Sequence, residues 1–243
     1  MPIRVLVNGA NGRMGKFATA AIEADPELEL VAQTDRHNNL REAIDANKTQ
    51  VVVDFTTAES AYDNLATIVA CGAHPVIGTS GLLTDQITHM QTQCAKQHLG
   101  GIIAPNFSIG AVLMMKYAQD AARYLDHVEI IELHHDQKQD SPSGTALKTA
   151  DMIAENLRSH QHLAEQKETI PGARGARHHN IHIHALRLPG LVAHQQVIFG
   201  AQGETLTIRH DSLNRECFMP GVLLACKKVM DLNELVYGLE HIL

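Results

Sequence analysis

A short apolar segment that leads directly into a glycine-rich loop and then into a helical pattern constrains the fold of this chain most strongly. Ile3–Asn8 has the β-branched, apolar character of a buried strand, and the glycines that follow have GxxGxxG spacing. In this order the loop backbone can approach a pyrophosphate, and the dipole of the next helix points at it. The candidate dinucleotide contacts in this loop are Gly9, Ala10, Asn11, Gly12, Arg13, Met14 and Gly15.

Strand-like and helix-like patterns continue to alternate beyond this loop. Val51–Phe55 is a β-type run, and two further runs begin at Pro75 and Gly101, with predicted helices over Ala58–Cys71 and Asp85–Gln97. Such alternation predicts a parallel sheet with helices on both faces, that is, a Rossmann-like α/β domain. Ligands of such sheets bind at the carboxyl ends of the strands, so residues 55–57, 78–80 and 104–107 are of interest.

Two charged residues after the second predicted strand bear on the choice of cofactor. Asp35 lies twenty residues beyond Gly15, where an acid would bind the ribose hydroxyls of a dinucleotide. Arg36 follows it, and a guanidinium at this point can bind a 2′-phosphate instead. Because Asp35 favours NADH and Arg36 favours NADPH, we expect the protein to use NADPH or NADH.

The segment Glu132–Ala146 has the densest set of chemical groups in the chain. His134 and His135 come at the end of a β-type run, and Lys138 lies on the loop that follows. A helical pattern then begins, for which Ser143 or Thr145 can be the N-cap. Histidine titrates near neutrality, and a lysine that is partly desolvated loses its proton more readily, so both are plausible acid–base groups.

The start of that helix is a candidate anion site. The first N–H groups of a helix have no intrahelical partner and lie at the positive end of its dipole, so they can bind a carboxylate. Gly144 has no side chain and therefore permits close approach of a ligand to the backbone.

The string ELHHDQKQDSPSGTA resembles the E-x-H-H-x-x-K-x-D-x-P-S-G-T-A signature of the dihydrodipicolinate reductase family, also called 4-hydroxy-tetrahydrodipicolinate reductases. Ser141 stands where many members have alanine. The resemblance covers nearly the whole chain. It implies NAD(P)H-dependent reduction of (2S,4S)-4-hydroxy-2,3,4,5-tetrahydrodipicolinate to tetrahydrodipicolinate with loss of water, in lysine and diaminopimelate biosynthesis.

The same resemblance implies roles for individual residues. His134 corresponds to a proton donor or acceptor and Lys138 to a proton donor; which of them gives the proton stays open, although we favour Lys138. Segments 78–80 and 104–107 resemble family segments that line the nicotinamide side of the cofactor. The residues implied to hold the substrate carboxylates are His135, Gly144 and Thr145, and those implied to contact the cofactor are Gly78, Thr79, Ser80, Ala104, Pro105, Asn106 and Phe107.

The domain organisation follows from the order of these segments. We expect residues 1–107 and 214–243 to form the dinucleotide-binding domain, with Leu235–Leu243 as a tail. Residues 108–213 would form an α+β domain with a mixed or antiparallel sheet, in which Ser159–Asn180 is a polar connection. By resemblance this second domain binds the substrate and assembles four copies into a homotetramer.

Composition excludes other classes of function. The net charge of −7 argues against a nucleic-acid partner, and neither a membrane-spanning run nor a signal peptide is recognised, so we expect a cytoplasmic protein. No metal is expected, because no cysteine or carboxylate lies among the histidines at 178, 179, 182 and 184. A non-enzymatic module that senses NAD(P)H would explain the glycine loop, but it would leave His134 and Lys138 without a purpose.

Overall fold

The computed structural model describes residues 1–157 and 167–243, which form two compact units. The first unit contains Met1–Ile109 and Arg215–Leu243, and the second contains Gly110–Asn214. The strands and helices of the first unit are β1 (Ile3–Asn8), α1 (Arg13–Ala24), β2 (Leu28–Thr34), α2 (Leu40–Ala46), β3 (Val51–Asp54), α3 (Ala58–Ala70), β4 (His74–Ile77), α4 (Thr84–Gln97) and β5 (Gly101–Ile103), then α7 (Met219–Lys228) and β11 (Leu235–Tyr237).

The sheet of the first unit is parallel throughout, with strand order β11-β5-β4-β3-β1-β2. Its central strands are buried along almost their whole length, and β3 is the apolar run Val51–Val53 followed by a buried aspartate. Continuous burial is typical of parallel strands that helices cover on both faces. The predicted Rossmann-like sheet is confirmed, and the carboxyl ends of β1, β3, β4 and β5 lie along one edge of it.

The second unit has a mixed sheet, against which α6 packs at β6 and β8. Its elements are α5 (Ile109–Ala121, whose first residue falls in the other unit), β6 (His127–His134), α6 (Gly144–Ala154), β7 (Ala176–His178), β8 (Ile181–Arg187), β9 (Ala193–Ala201) and β10 (Glu204–Ser212). The strand order is β10-β9-β6-β8-β7; β6 and β8 are parallel and the other pairs are antiparallel. Helix α6 buries Ala146, Ala150 and Ile153. The predicted mixed sheet is confirmed.

Two expectations from the sequence were wrong in detail. Leu235–Leu243 is not simply a tail, because Leu235–Tyr237 pairs with β5 as the edge strand β11. The connection Ser159–Asn180 contains β7, while its residues up to 166 lie outside the described part of the chain. In the described ranges, no helix is both long enough and apolar enough to cross a membrane.

Candidate active site

Glu132, near the end of β6, organises the polar groups at the start of α6. Its side chain is fully buried, and it accepts hydrogen bonds from His134 Nδ1 at 2.5 Å and from both terminal nitrogens of Arg187 at 2.7 and 2.8 Å. An ionised carboxylate can only accept, so Nδ1 of His134 carries the proton of this bond. Nε2 of His134 is therefore the ring nitrogen left for other chemistry.

These contacts also determine the charge of Glu132. Burial alone would raise the pKa of its carboxyl, but the hydrogen bonds from His134 and Arg187 outweigh burial and lower the pKa from 4.5 to about 2. The hydrogen bond to Glu132 in turn raises the pKa of Arg187. The pair is therefore ionised throughout the physiological range.

Glu132 and Arg187 connect the strand, the loop and the helix of this segment. Ser143 donates its backbone N–H to Glu132 Oε1 at 3.1 Å, and Arg187 donates to the carbonyl of Asp140 at 2.8 Å. Ser143, rather than Thr145, is the N-cap of α6, because its Oγ accepts from the N–H of Ala146 at 3.2 Å. The part of the loop that follows Lys138 is thus held by the Glu132–Arg187 ion pair.

Lys138 lies on this loop and is paired with an acid. Its Nζ donates to both oxygens of Asp140 at 2.7 and 2.8 Å, and this hydrogen bond lowers the pKa of Asp140. The Lys138 side chain is 21% exposed, whereas that of Asp140 is 63% exposed. The loop therefore presents an ammonium group that is largely sheltered from solvent.

The first turn of α6 is open to a ligand. A Cβ added to Gly144 would meet nothing within 4 Å, so the space before the helix N-terminus is empty of protein atoms at this point. Thr145 is half-buried beside it. His135 is also half-buried, and its carbonyl accepts from the N–H of Lys138 at 3.2 Å, which closes a turn. The structure thus gathers the five predicted catalytic and substrate-binding residues into one strand–loop–helix segment.

The glycine loop of the first unit packs tightly against neighbouring backbone. Gly9 has φ of +80°, and a Cβ there would lie 2.4 Å from the carbonyl oxygen of Phe55. At Gly15 a Cβ would lie 2.1 Å from the carbonyl oxygen of Gly9, so only glycine lets α1 begin this close to the loop. Gly12 is the N-cap of α1 without a side-chain hydrogen bond, which leaves the helix N-terminus free to bind a pyrophosphate.

Asp35 lies beside this loop. It accepts from Asn11 Nδ2 at 2.6 Å and from the backbone N–H of His37 at 2.9 Å; the His37 bond, followed by the Asn11 bond, lowers the pKa of Asp35. Arg13 and Arg36 are exposed. The carboxylate of Asp35 is thus bonded to the loop through Asn11, and the two arginines are accessible to a ligand from solvent.

Asp54 is a buried acid at the end of β3 that the sequence did not identify. Its carboxylate accepts from Asn8 Nδ2 at 2.8 Å and from Thr79 Oγ1 at 2.5 Å. Thr56 also bonds to it through both its backbone N–H and its hydroxyl. Asp54 therefore holds the ends of β1, β3 and β4 together, and Thr79 uses its hydroxyl in this network.

The remaining predicted cofactor residues differ in exposure. Ser80 and Pro105 are exposed, and Met14 and Asn106 are half-buried. A Cβ at Gly78 would collide with the ring of Phe55, which packs edge-on against Phe107 at a centroid distance of 5.8 Å. The buried members, which shape the backbone rather than face solvent, are Ala10, Gly15, Thr79, Ala104 and Phe107.

Sequence reasoning assigned no role to Glu132 or Arg187, although a signal was present for the first. Glu132 lies between Ile131 and Leu133 in an apolar strand, and alternation puts it on the same face as the buried Ile130. A buried acid needs a cationic or hydrogen-bonding partner. That the partner is Arg187 depends on the pairing of β6 with β8, in which His134 lies opposite Arg187.

Comparison with known proteins is consistent over the whole chain. A family model described as dihydrodipicolinate reductase, N-terminus, matches residues 3–107, and one described as dihydrodipicolinate reductase, C-terminus, matches residues 110–243. Proteins named 4-hydroxy-tetrahydrodipicolinate reductase from Legionella pneumophila (strain Philadelphia 1) and Coxiella burnetii (strain Dugway) are 55% and 53% identical over 243 residues, with 100% of both chains covered.

A solved structure matches equally completely. The dipicolinate-bound dihydrodipicolinate reductase from Paenisporosarcina sp. TG-14 has a TM-score of 0.92 and 44% identity, and the match covers 100% of each chain. The first unit is accordingly a nucleotide-binding Rossmann domain. Together, the matched domains, the full-length relatives and the shared fold show that this chain belongs to the dihydrodipicolinate reductase family.

Proposed function

We propose that this protein reduces (2S,4S)-4-hydroxy-2,3,4,5-tetrahydrodipicolinate to (S)-2,3,4,5-tetrahydrodipicolinate, in lysine and diaminopimelate biosynthesis. The substrate gains one hydride and one proton and loses one water, and NAD(P)H becomes NAD(P)⁺. The observation that carries the proposal is the segment in which a held imidazole, a sheltered ammonium and an open helix N-terminus occur together.

The substrate is a cyclic dicarboxylate, and the second unit offers partners for carboxylates. We assign the backbone N–H groups of Gly144 and Thr145 and the ring of His135 to this role. The empty space at Gly144 supports the assignment, because a carboxylate can reach the helix N-terminus there without meeting a side chain. The related structure from Paenisporosarcina contains dipicolinate, a planar dicarboxylate.

The proton is assigned to Lys138, with His134 as the second acid–base group. An ammonium can both attract a dianionic substrate and donate a proton to it. His134 is oriented by the Nδ1 bond to Glu132, which leaves Nε2 to accept or donate a hydrogen bond. When bound, the nicotinamide supplies the hydride.

The cofactor is assigned to the first unit. The backbone of Gly9–Gly15 and the N-terminus of α1 would hold the pyrophosphate, and the segments 78–80 and 104–107 would lie on the nicotinamide side. The Cβ collisions at Gly9 and Gly15 support this fit, because they show a turn too tightly packed for any residue but glycine, as the tight turn and close helix packing of a dinucleotide loop require. Asp35 would bind the ribose of NADH, and Arg36 the 2′-phosphate of NADPH.

Replacing Arg36 should separate the two cofactors. We expect Arg36→Ala to raise the KM for NADPH by about tenfold, since a charge-assisted bond to phosphate contributes roughly 1.5 to 3 kcal/mol and the side chain is exposed. The KM for NADH should change by less than about twofold, because no phosphate is lost. Initial rates with each cofactor measure both values. Equal increases for the two cofactors would contradict the assignment of Arg36 to the 2′-phosphate.

We also propose that four chains assemble through the second unit. Ile131, Leu133 and Ile198 are half-buried on the face of the mixed sheet opposite the one that buries Ile130 and Phe199. The same face carries polar side chains such as Glu129, His184 and Gln196, and interfaces between protein chains commonly combine apolar and polar groups in this way. Light scattering should give a mass four times that of the 26.6 kDa chain, and a monomer would contradict the proposal.

The decisive experiment for the activity is loss of nicotinamide absorbance when freshly prepared substrate is added to the protein with NADPH or NADH. Rapid oxidation that depends on the substrate is the expected result. If the protein binds NAD(P)H tightly but oxidises neither form, the reductase proposal fails and a nucleotide-sensing module explains the chain better.

A further inference from the structure

The turn between β7 and β8 has an unusual first residue. His178 pairs with Ile181, so His179 and Asn180 form a two-residue hairpin loop, and their φ values are +49° and +67°. Left-handed conformation at both positions defines a type I′ turn, which favours asparagine, aspartate and glycine. Asn180 suits the turn, and histidine is less usual than asparagine at the first position, although it is among the side chains enriched at positive φ.

The turn brings two neighbouring histidines to the same acid. Successive residues of a strand normally point to opposite faces, yet the rings of His178 and His179 lie 4.2 Å apart. Nε2 of His178 is 2.7 Å from Oδ1 of Asp151, and Nε2 of His179 is 2.9 Å from the same oxygen. The three potential ligand atoms all lie within 4.8 Å of one another.

No metal was expected from the sequence, because no cysteine or carboxylate lies among these histidines along the chain. The structure supplies a carboxylate from α6. It also separates the four histidines, since His182 bonds to the carbonyl of Arg174 at 2.8 Å and His184 to Glu129 at 2.7 Å. Among the described residues, His178, His179 and Asp151 are the one group of three such side chains whose potential ligand atoms lie close enough together to hold a metal ion.

We propose that Asp151, His178 and His179 bind a divalent transition-metal ion, such as Zn²⁺, through the two Nε2 atoms and one carboxylate oxygen. Imidazole nitrogen and carboxylate oxygen are established zinc ligands, and three protein ligands leave a fourth position for water or another group. Neutral imidazole has a lone pair on one ring nitrogen. When the proton of each ring is on Nδ1, its Nε2 can coordinate an ion beside Asp151 instead of donating a hydrogen bond to it.

The surroundings leave room for the fourth position. Asp151 and His179 line a surface groove of about 550 Å³ together with Glu155, the C-cap of α6, which follows Asp151 by four residues. The side chains of His178, His179 and Asp151 are 38%, 51% and 50% exposed, so an ion in solution can reach them. The site shares no residue with the candidate active site, and it does not depend on the proposed reduction.

The test is calorimetric titration of the full chain with Zn²⁺ near neutral pH, comparing wild type with His179→Asn and Asp151→Asn. Asparagine at 179 removes an imidazole while suiting the type I′ turn, so this variant should fold at least as well as wild type. We expect each substitution to lower the affinity for one equivalent of zinc by at least about tenfold. Losses of this size follow even when a residue outside the coordination sphere is removed. His127→Gln, an exposed histidine of the same unit, should bind as wild type does.

X-ray absorption at the zinc edge distinguishes this site from the thiols of the chain. Nitrogen and oxygen neighbours with an imidazole signature are expected in zinc-loaded wild type. Equal stoichiometry and affinity in wild type, His179→Asn and Asp151→Asn would overturn the proposal, as would sulfur neighbours at the ion. Unchanged reductase turnover in metal-free His179→Asn serves as the check that the fold is intact.

Discussion

Lys138→Ala should lower kcat by about 100- to 10,000-fold, the range that a positioned proton donor contributes. The structure places the ammonium group on a loop whose later part is held by Glu132 and Arg187, and pairs it with Asp140. Removing it deprives the reaction of its assigned proton donor and the dianionic substrate of a cation. NADPH binding should be unchanged, because the proposed cofactor contacts belong to the other unit.

The measurement is initial-rate kinetics, with nucleotide affinity determined separately by fluorescence or calorimetry. Lys167→Ala, which removes an exposed lysine of the same unit, is the matched control and should retain wild-type kcat. His134→Gln should show a smaller fall than Lys138→Ala if Lys138 gives the proton directly. A kcat within about threefold of wild type in Lys138→Ala would rule out that role, since even a weak general acid contributes more.

The main strands and helices could be predicted because their periodicity reflects burial that is local in sequence. The elements that sequence reasoning missed have weak local signals. Helix α2 has one buried residue, Ile44, and begins at a cap in which Asn39 accepts from the N–H of Glu42. Strand β11 has three residues, and only its pairing with β5 distinguishes it from a tail.

The residues of the candidate site also differ in how well the sequence alone predicts them. The residues from His134 to Thr145 are contiguous, so their chemistry could be interpreted directly from the sequence. The groups that hold them are not contiguous: Arg187 reaches Glu132 only because β8 pairs with β6. Asp54 likewise acquires its partners from other strands and loops, and Asp151 meets the histidines of the turn only in the folded chain. Partners of buried charges therefore required the structure.

Glu132→Gln is the second substitution with a large expected effect, and it acts on stability as well as rate. The change removes the negative charge of a fully buried carboxylate and leaves Arg187, whose side chain is 19% exposed, without its partner. Breaking a buried pair in this way costs about 3 to 5 kcal/mol, and we expect the lower end because Arg187 can gain some water. The amide nitrogen would also face donors at Ser143 and Arg187. The turnover number should fall together with the stability, since His134 loses the carboxylate that orients its ring through Nδ1.

Glu29→Gln is a control, because Glu29 also lies on a strand, β2, and pairs with an arginine, Arg4. Its side chain is 49% exposed, so its loss should cost no more than about 1 kcal/mol. Urea unfolding of both variants at neutral pH tests this difference. A cost for Glu132→Gln no larger than that for Glu29→Gln would show that the buried pair contributes nothing special.

The pH dependence gives an independent check on the same residue. The folded pKa of Glu132, about 2, lies below its ordinary value of 4.5, so the unfolded state binds its proton first as the pH falls. The stability that this carboxylate contributes is therefore fully present above pH 4.5 and is lost as the pH falls towards 2. The stability difference between wild type and Glu132→Gln should shrink over that interval. A difference that stayed constant down to about pH 3 would mean that the ionised carboxylate is not its source, because protonation removes the charge that Arg187 requires.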